Sequence, residues 1–122
     1  MNIKRNIIKD KSYYFALQVI KTCRYLAKKE NEYVISRQLM RSGTSIGANI
    51  EEALAAGSRK DFIHKMTLAS KEARESSYWI RLLKDSGLID EEEGNKLLEE
   101  ANELVRLLTS IVKTTSKTEQ EK

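Results

Sequence analysis

The segment RSGTSIGANIEEA, residues 41–53, decides the fold of this 122-residue chain. It lies within a helical pattern, although Gly43 and Gly47 each cost about 1 kcal/mol relative to alanine in a helix interior. Its serines, threonine and asparagine also favour turns, because their side chains compete for backbone hydrogen bonds. Two glycines four residues apart leave one helix face without side chains. The segment therefore predicts a helix that a neighbouring helix approaches closely.

A polar stripe runs beside the two glycines at steps of three, four and three residues: Ser42, Ser45, Asn49 and Glu52. The small residues of the next helical segment, at positions 69–77, are predicted to face the glycines. That segment also carries Arg74 and Arg81, seven residues apart on one face. We hypothesise a partly buried contact between Glu52 and one of these arginines. A solvated glutamate is the alternative.

The composition indicates an all-α protein. The chain has no proline, 40% of its residues are hydrophobic and 33% are charged, which excludes a disordered or membrane-like chain. Apolar residues at alternating three- and four-residue steps predict four helices, at residues 12–29, 37–56, 59–86 and from 90 onward. Short connections favour an antiparallel up-down-up-down four-helix bundle. We divide the chain into an N-terminal extension, the bundle and a frayed C-terminal tail: residues 1–11, 12–113 and 114–122.

Residues that start and stop helices support these boundaries. Predicted N-caps precede three helices: Ser12, Ser36 and Ser58. Residues suited to a left-handed conformation follow three helices: Asn31, Gly57 and Gly87. Leu88 is expected to fold back on Leu83 in a Schellman motif, a hydrogen-bonded helix end closed by an apolar contact.

The charge is unevenly divided between the two halves of the chain. Residues 1–60 hold 12 basic and 5 acidic side chains, a net charge of +7, whereas residues 61–122 hold 10 and 13, a net charge of −3. An ordinary solvated surface explains this division, and so does a basic face for RNA or DNA. The candidate nucleic-acid-binding residues lie in the first two helices: Lys21, Arg24, Lys28, Arg37 and Arg41.

Few residues suited to catalysis or metal binding are present. His64 is the one histidine, so it cannot supply the two Glu-x-x-His pairs of a di-iron bundle, and we interpret it as a surface residue. Cys23 is the one cysteine, and its place on an apolar helix face indicates a small core residue. Glu51 and Glu52 point about 100° apart, which does not suit a general acid–base pair. We predict no catalytic residue, no metal and no cofactor.

The sequence SIGANIEEA at residues 45–53, followed by SRKDF at residues 58–62, resembles a bacterial four-helix-bundle family, the 23S rRNA intervening-sequence proteins. The resemblance extends over residues 13–112. The family is similar to the accessory protein of diversity-generating retroelements, a five-fold barrel that associates with a reverse transcriptase and nucleic acid. The resemblance implies a homopentamer, and it does not imply an enzyme activity.

Three positions depart from the family's pattern. Gly47 stands where many members carry proline, and Ala53 stands where many carry glycine. Ala56 occupies a position where a basic residue is common, which weakens the case for phosphate binding at this turn.

Two functions remain open from the sequence. The first is a non-catalytic homo-oligomer that binds nucleic acid through its basic face. The second is a protein-interaction adaptor, such as an accessory subunit of a reverse-transcriptase-type enzyme. An enzyme would require a ligand or metal in a cavity lined by His64 or Glu52. The wide apolar faces of the first and fourth helices fit either shielding by lysine stems or an oligomer interface. Without a signal-peptide pattern, and with a single cysteine, we expect a cytoplasmic protein and no membrane partner.

Overall fold

Four α-helices form nearly all of the chain that the computed structural model describes, which is residues 3–120, with side chains described for residues 3–117. In chain order the helices are α1 Ile3–Lys29, α2 Val34–Leu54, α3 Arg59–Asp85 and α4 Glu91–Gln120. Connections of four or five residues join them, which is too short for anything but antiparallel neighbours. The predicted all-α four-helix bundle is confirmed.

Each helix packs against two others, in the ring order α1, α2, α3, α4. The pair α1 and α4 is the most loosely packed of the four. Near one end of this pair Lys4 donates a hydrogen bond to Ser110, and near the other Thr22 donates to Glu93. This ring order places the α1–α2 contact and the α3–α4 contact on opposite sides of the bundle.

Buried apolar side chains from all four helices form one continuous core. They recur at three- and four-residue steps, which keeps them on the inner face of each helix. The largest fully buried side chains are Phe15, Ile8, Leu26, Leu39, Ile46, Ile50, Met66, Ile80, Leu83, Leu104, Leu108 and Val19. Among the described residues, no helix combines the length and the apolar character needed to cross a bilayer.

Helix α1 begins well before the predicted position. The predicted start at Ser12 was wrong: Ser12 is buried within α1, and its hydroxyl donates to the carbonyl oxygen of Lys9 over 2.9 Å. The reason is Ile8, which is fully buried and lies on the same helix face as Phe15. At the other end, the segment from position 114 is helical to Gln120. The predictions for residues 1, 2, 121 and 122 fall outside the described residues.

Helix α2 also starts earlier than predicted, at Val34, and its cap is a carboxylate. Ser36 was wrongly predicted as the N-cap, because it is buried inside the helix and donates to the carbonyl oxygen of Glu32. The Glu32 side chain instead accepts hydrogen bonds from three backbone N–H groups, those of Val34, Ile35 and Ser36, at 3.1, 3.1 and 2.8 Å. One acid therefore satisfies three of the donors that a helix start leaves free.

The other helix ends follow the predictions with one exception. Asn31 and Gly87 adopt left-handed conformations with φ of 53° and 80°. Leu88 N–H donates to the carbonyl oxygen of Leu83 over 3.0 Å, which completes the predicted Schellman motif. Ser58 caps α3 by accepting a hydrogen bond from the backbone of Asp61. Gly57 does not have the predicted left-handed conformation, because α2 ends in a tight turn at Leu54 before reaching it.

Candidate nucleic-acid interface

The two glycines of α2 pack against α1. A Cβ atom added at Gly43 would lie 2.8 and 2.9 Å from the two methyl carbons of Val19, so no methyl group fits there. At Gly47 the nearest atom is the Ser12 hydroxyl oxygen, at an ordinary contact distance of 3.4 Å. The prediction that a neighbouring helix approaches the glycines closely is confirmed. The expected partner was wrong, because α1 and not the small residues of α3 covers them.

The contact between α2 and α3 contains a buried pair of serines. The Ser76 hydroxyl donates to the Ser42 hydroxyl oxygen over 2.9 Å, and both residues are fully buried. Small side chains on both helices allow this approach, and the hydrogen bond satisfies polar atoms that water cannot reach. Ser42, the first residue of the polar stripe, is therefore part of the packing contact between α2 and α3.

Two other members of the polar stripe bond within their own helix. The Ser45 hydroxyl donates to the carbonyl oxygen of Arg41 over 2.6 Å, and the Asn49 amide donates to the carbonyl oxygen of Ser45 over 2.9 Å. Both residues are half-buried. These bonds satisfy the side-chain donors locally and give no sign of a ligand site.

Glu52 does not make the hypothesised arginine contact. Its carboxylate lies 3.6 Å from the Lys65 ammonium, and its side chain is 60% exposed. Arg74 instead donates to the Thr109 hydroxyl on α4, and the Arg81 guanidinium lies over the Tyr78 ring. The hypothesis was wrong because Glu52 points outward at the edge of the α2–α3 contact, whereas Arg74 lies on the α4 side of α3.

An ion-pair cluster does join α2 and α3, but with the charges reversed. The Arg41 guanidinium donates to the Glu72 carboxylate over 2.7 Å and also to the Glu75 carboxylate. These hydrogen bonds, the one to Glu75 most strongly and then the one to Glu72, hold the pKa of Arg41 above its usual range. Arg41 is thus committed to two carboxylates, which makes it the least suited of the five candidate cations to bind a phosphate.

The remaining four candidates form what we call the basic cluster: Lys21, Arg24, Lys28 and Arg37. All four are at least partly exposed, and none forms an ion pair within residues 3–117. The three on α1 share its outward face, because they are spaced by three and four residues. The Cys23 thiol donates to the carbonyl oxygen of Ser36 over 3.2 Å, which places the start of α2 beside this part of α1.

Cys23 itself is enclosed between α1 and α2. Burial, aided by the negative charge of Glu32, raises the pKa of the Cys23 thiol to about 11. A thiol with this pKa is almost fully protonated at neutral pH and is a poor nucleophile. The interpretation of Cys23 as a core residue is confirmed, and His64 lies on the exposed surface of α3 as expected.

Beside the basic cluster, the outer surface of α1 carries large apolar side chains. Six of them are more than one-third exposed: Ile3, Ile7, Tyr13, Tyr14, Leu17 and Tyr25. Single exposed apolar residues are common, but six along one helix form an extended surface. None of these six side chains was identified from the sequence as part of the apolar face of the first helix.

An acidic groove lies beside this face, and no feature of the sequence indicated it. Two clefts of about 420 and 440 Å³ lie between α1 and α4, and Glu100 lines both of them. Burial raises the pKa of Glu100, and one of its carboxylate oxygens is buried without a hydrogen-bond partner in the described part of the chain. Loose packing of two specific helices produces this groove, and no local sequence pattern reports it.

Comparisons with known proteins agree with this architecture. Residues 4–110 match the family described as 23S rRNA-intervening sequence protein. A search of curated proteins gave no match. A crystal structure of a protein of unknown function from the S23 ribosomal protein family of Bacteroides thetaiotaomicron is similar, with 44% sequence identity and a TM-score of 0.89. The alignment covers 91% of this chain and 99% of that one. The chain therefore belongs to the 23S rRNA-intervening sequence protein family.

Proposed function

We propose that this protein is a non-catalytic, homo-oligomeric four-helix bundle that binds RNA or DNA through the basic cluster. The observation that carries the proposal is that these four cations are accessible and free of ion pairs, whereas Arg41 is held by two carboxylates. An unpaired cation gains more free energy from contacting a phosphate than a paired one does, because no existing ion pair has to be broken. The rRNA in the family's description makes RNA the first nucleic acid to test.

The packing of the central segment supports a binding role over a catalytic one. The glycines fit against α1, the Ser42 hydroxyl bonds Ser76, and Cys23 is buried with a raised pKa. These groups of the central segment are thus engaged in holding the helices together. The four cations of the basic cluster remain accessible, at the end of the bundle that also carries the exposed acids at the start of α4.

We propose that assembly multiplies this charge. The resemblance implies a homopentamer, in which each protomer repeats the basic cluster and the fields of the copies add. The exposed apolar side chains of α1 supply a surface suited to contacts between copies. Light scattering is expected to give about five times the 14.0 kDa of one chain. A mass of one chain at micromolar concentration would contradict assembly.

The test of nucleic-acid binding compares two variants with equal changes in charge. The first replaces each of the four residues of the basic cluster with glutamine. The matched control replaces with glutamine four lysines that already form ion pairs, namely Lys9, Lys11, Lys65 and Lys84. Fluorescence anisotropy with a labelled single-stranded RNA and a labelled DNA duplex, at low salt, is expected to show at least tenfold weaker binding for the first variant. Equal losses in both variants, or no binding by the wild type, would overturn the proposal.

A protein-interaction adaptor is the second candidate, and the exposed apolar face of α1 favours it. A partner held by this face should remain bound after nuclease treatment, whereas one held through RNA or DNA should be released. If this face holds a protein partner and not a second copy of the chain, serine substitutions at Tyr14 and Leu17 should remove a nuclease-resistant partner and leave the oligomer mass and nucleic-acid binding unchanged. Nucleic-acid binding that survives these substitutions while no partner persists would favour the first candidate.

A further inference from the structure

The charge of α4 is divided along its length. Residues 90–103 contain seven acidic side chains and one basic side chain. Residues 104–118 contain three basic side chains and no acidic one. The net charge of −3 for residues 61–122 hides this division, because the acids are concentrated at one end of the bundle. The C-terminal half of α4 therefore forms, together with α3, a second basic surface.

A cleft of about 330 Å³ lies on this surface, between α3 and α4. We call it the α3–α4 cleft. Seven residues line it, of which three carry a positive charge, three carry a hydroxyl group and one is apolar: Lys71, Arg74, Lys113, Thr67, Ser70, Thr109 and Val112. The α3 members are spaced by three and four residues, as are the members from α4, so each helix turns one face toward the cleft. No carboxylate lines it.

The cations of the α3–α4 cleft are not neutralised by neighbours. Within residues 3–117, neither Lys71 nor Lys113 forms an ion pair, and Arg74 makes a hydrogen bond only to the neutral Thr109 hydroxyl. The nearest acids along α3, Glu72 and Glu75, are held by Arg41 on the α2 side of that helix. Three like charges around one cleft repel one another, and an anion between them relieves that repulsion.

The hydroxyl groups complete the chemistry of the cleft. The Thr109 oxygen accepts from the Arg74 guanidinium at 3.4 Å, which leaves the threonine proton available to a ligand. Ser70 is buried to 8% exposure, and its hydroxyl has no hydrogen-bond partner within the described chain. Hydroxyl donors beside lysine and arginine are the groups that proteins use to hold phosphate oxygens.

From this arrangement we infer that the α3–α4 cleft binds a phosphate group. Two or three charge-assisted hydrogen bonds from the cations and one from a hydroxyl match the several acceptor oxygens of a phosphate. The cleft is open to solvent, so it admits either a free phosphate or a phosphodiester within a strand. It lies on the opposite side of the bundle from the α1–α2 contact, so the site is independent of the basic cluster.

The test uses inorganic phosphate as the probe, titrated calorimetrically into the full-length protein at constant ionic strength in chloride. Wild-type protein is expected to bind phosphate with saturation. The double variant Lys71→Gln/Lys113→Gln is expected to bind at least tenfold more weakly. The matched control, Lys9→Gln/Lys11→Gln, carries the same charge change on α1 outside both proposed sites and should remain within twofold of the wild type. Circular dichroism checks that each variant folds.

A variant that preserves charge distinguishes a built site from diffuse attraction. Thr109→Val removes the hydroxyl and keeps every cation, and it is expected to weaken phosphate binding at least threefold. Non-saturable binding by the wild type, equal losses in the two lysine pairs, or no effect of Thr109→Val would overturn the inference.

A second arm identifies the source of the phosphate group. A labelled single-stranded oligonucleotide replaces inorganic phosphate in an anisotropy assay with the same variants. If Lys71→Gln/Lys113→Gln weakens both ligands, the site takes a phosphodiester within a strand. If it weakens only inorganic phosphate, the site takes a free phosphate. Loss of strand binding in the basic-cluster variant with intact phosphate binding would separate this site from the proposed function.

Discussion

At the scale of single residues, Gly43 and Gly47 look alike in the sequence but differ in their surroundings. Gly43 faces the short, β-branched side chain of Val19, which is fully buried. Gly47 faces Ser12 at ordinary contact distance. The same substitution should therefore have opposite effects at the two positions.

Gly43→Ala is expected to destabilise the protein, because overpacking costs about 1–3 kcal/mol and outweighs the helix-propensity gain of about 1 kcal/mol. Gly47→Ala is expected to gain up to about 1 kcal/mol, because only the propensity term remains. Urea denaturation measures both free energies of unfolding. Adding Val19→Ala to Gly43→Ala should reduce the overpacking penalty, because it removes the two methyl groups that the new Cβ meets. Equal gains at the two glycines would contradict the close approach of α1.

The buried serine pair predicts an asymmetry between its two members. Ser42→Ala leaves the buried Ser76 hydroxyl without its acceptor, and an unsatisfied buried donor costs about 1–3 kcal/mol. Ser76→Ala should cost less, because the Ser42 hydroxyl is also within 3.4 Å of the carbonyl oxygen of Leu39. The double variant should be less destabilised than the sum of the two. Strict additivity in thermal or urea unfolding would show that the hydroxyls do not interact.

Glu100 should make the stability depend on pH. Burial raises its pKa above the ordinary value of 4.5, opposed by Lys96 and Lys11 and aided by Glu103 and Glu99. Between the ordinary and the raised pKa the folded state binds more protons than the unfolded state, so stability falls as pH rises through this window. Glu100→Gln should therefore raise the melting temperature at pH 7. The difference should vanish at pH values well below 4.5, where the glutamate is protonated in both states.

At the scale of helices, the start of α2 depends on one side chain. Glu32 accepts hydrogen bonds from three backbone N–H groups and places a negative charge at the positive end of the helix. Glu32→Ala is expected to cost about 1–2 kcal/mol, and Glu32→Gln less, because the amide oxygen still accepts. Hydrogen exchange should show faster exchange at Val34, Ile35 and Ser36. Unchanged exchange at these amides would contradict the cap.

Local sequence rules predicted correctly those helix ends whose structure depends on a single helix. The Schellman motif at Gly87 and Leu88 depends only on backbone conformation and one nearby contact, so it is readable from sequence. The Glu32 cap was missed because serine is the commoner cap and Ser36 stood at a plausible position. The start of α1 was missed because Ile8 gains its burial only from the other helices.

The candidate site was less predictable than the fold, because charge pairing depends on how helices are rotated. Sequence alone identified the five cations of the first two helices, but it could not tell that Arg41 meets Glu72 and Glu75. The same uncertainty produced the wrong partner for Glu52, which lies beside Lys65. Which charged side chains pair across two helices depends on how each helix is rotated about its own axis. Small differences in core packing set that rotation.

At the scale of the whole molecule, net charge conceals two separate basic surfaces. The basic cluster lies beside the contact between α1 and α2, and the α3–α4 cleft lies on the other side of the bundle. Helix α4 begins with acidic residues, so its first half is negatively charged and its second half is positively charged. The net charge of +4 is therefore the sum of positive and negative surface regions. Binding of an anionic partner depends on the charge of the region that it contacts.

The most direct test of nucleic-acid binding through the basic cluster is the salt dependence of the affinity. Removing one cation that contacts a phosphate should reduce the slope of log K against log salt by about 0.7 for a single strand. Replacing the four cations with glutamine is predicted to reduce that slope by up to about 3 for each protomer engaged, relative to wild type. Parallel salt plots for the wild type and this variant would contradict the claim that these four side chains contact the phosphates.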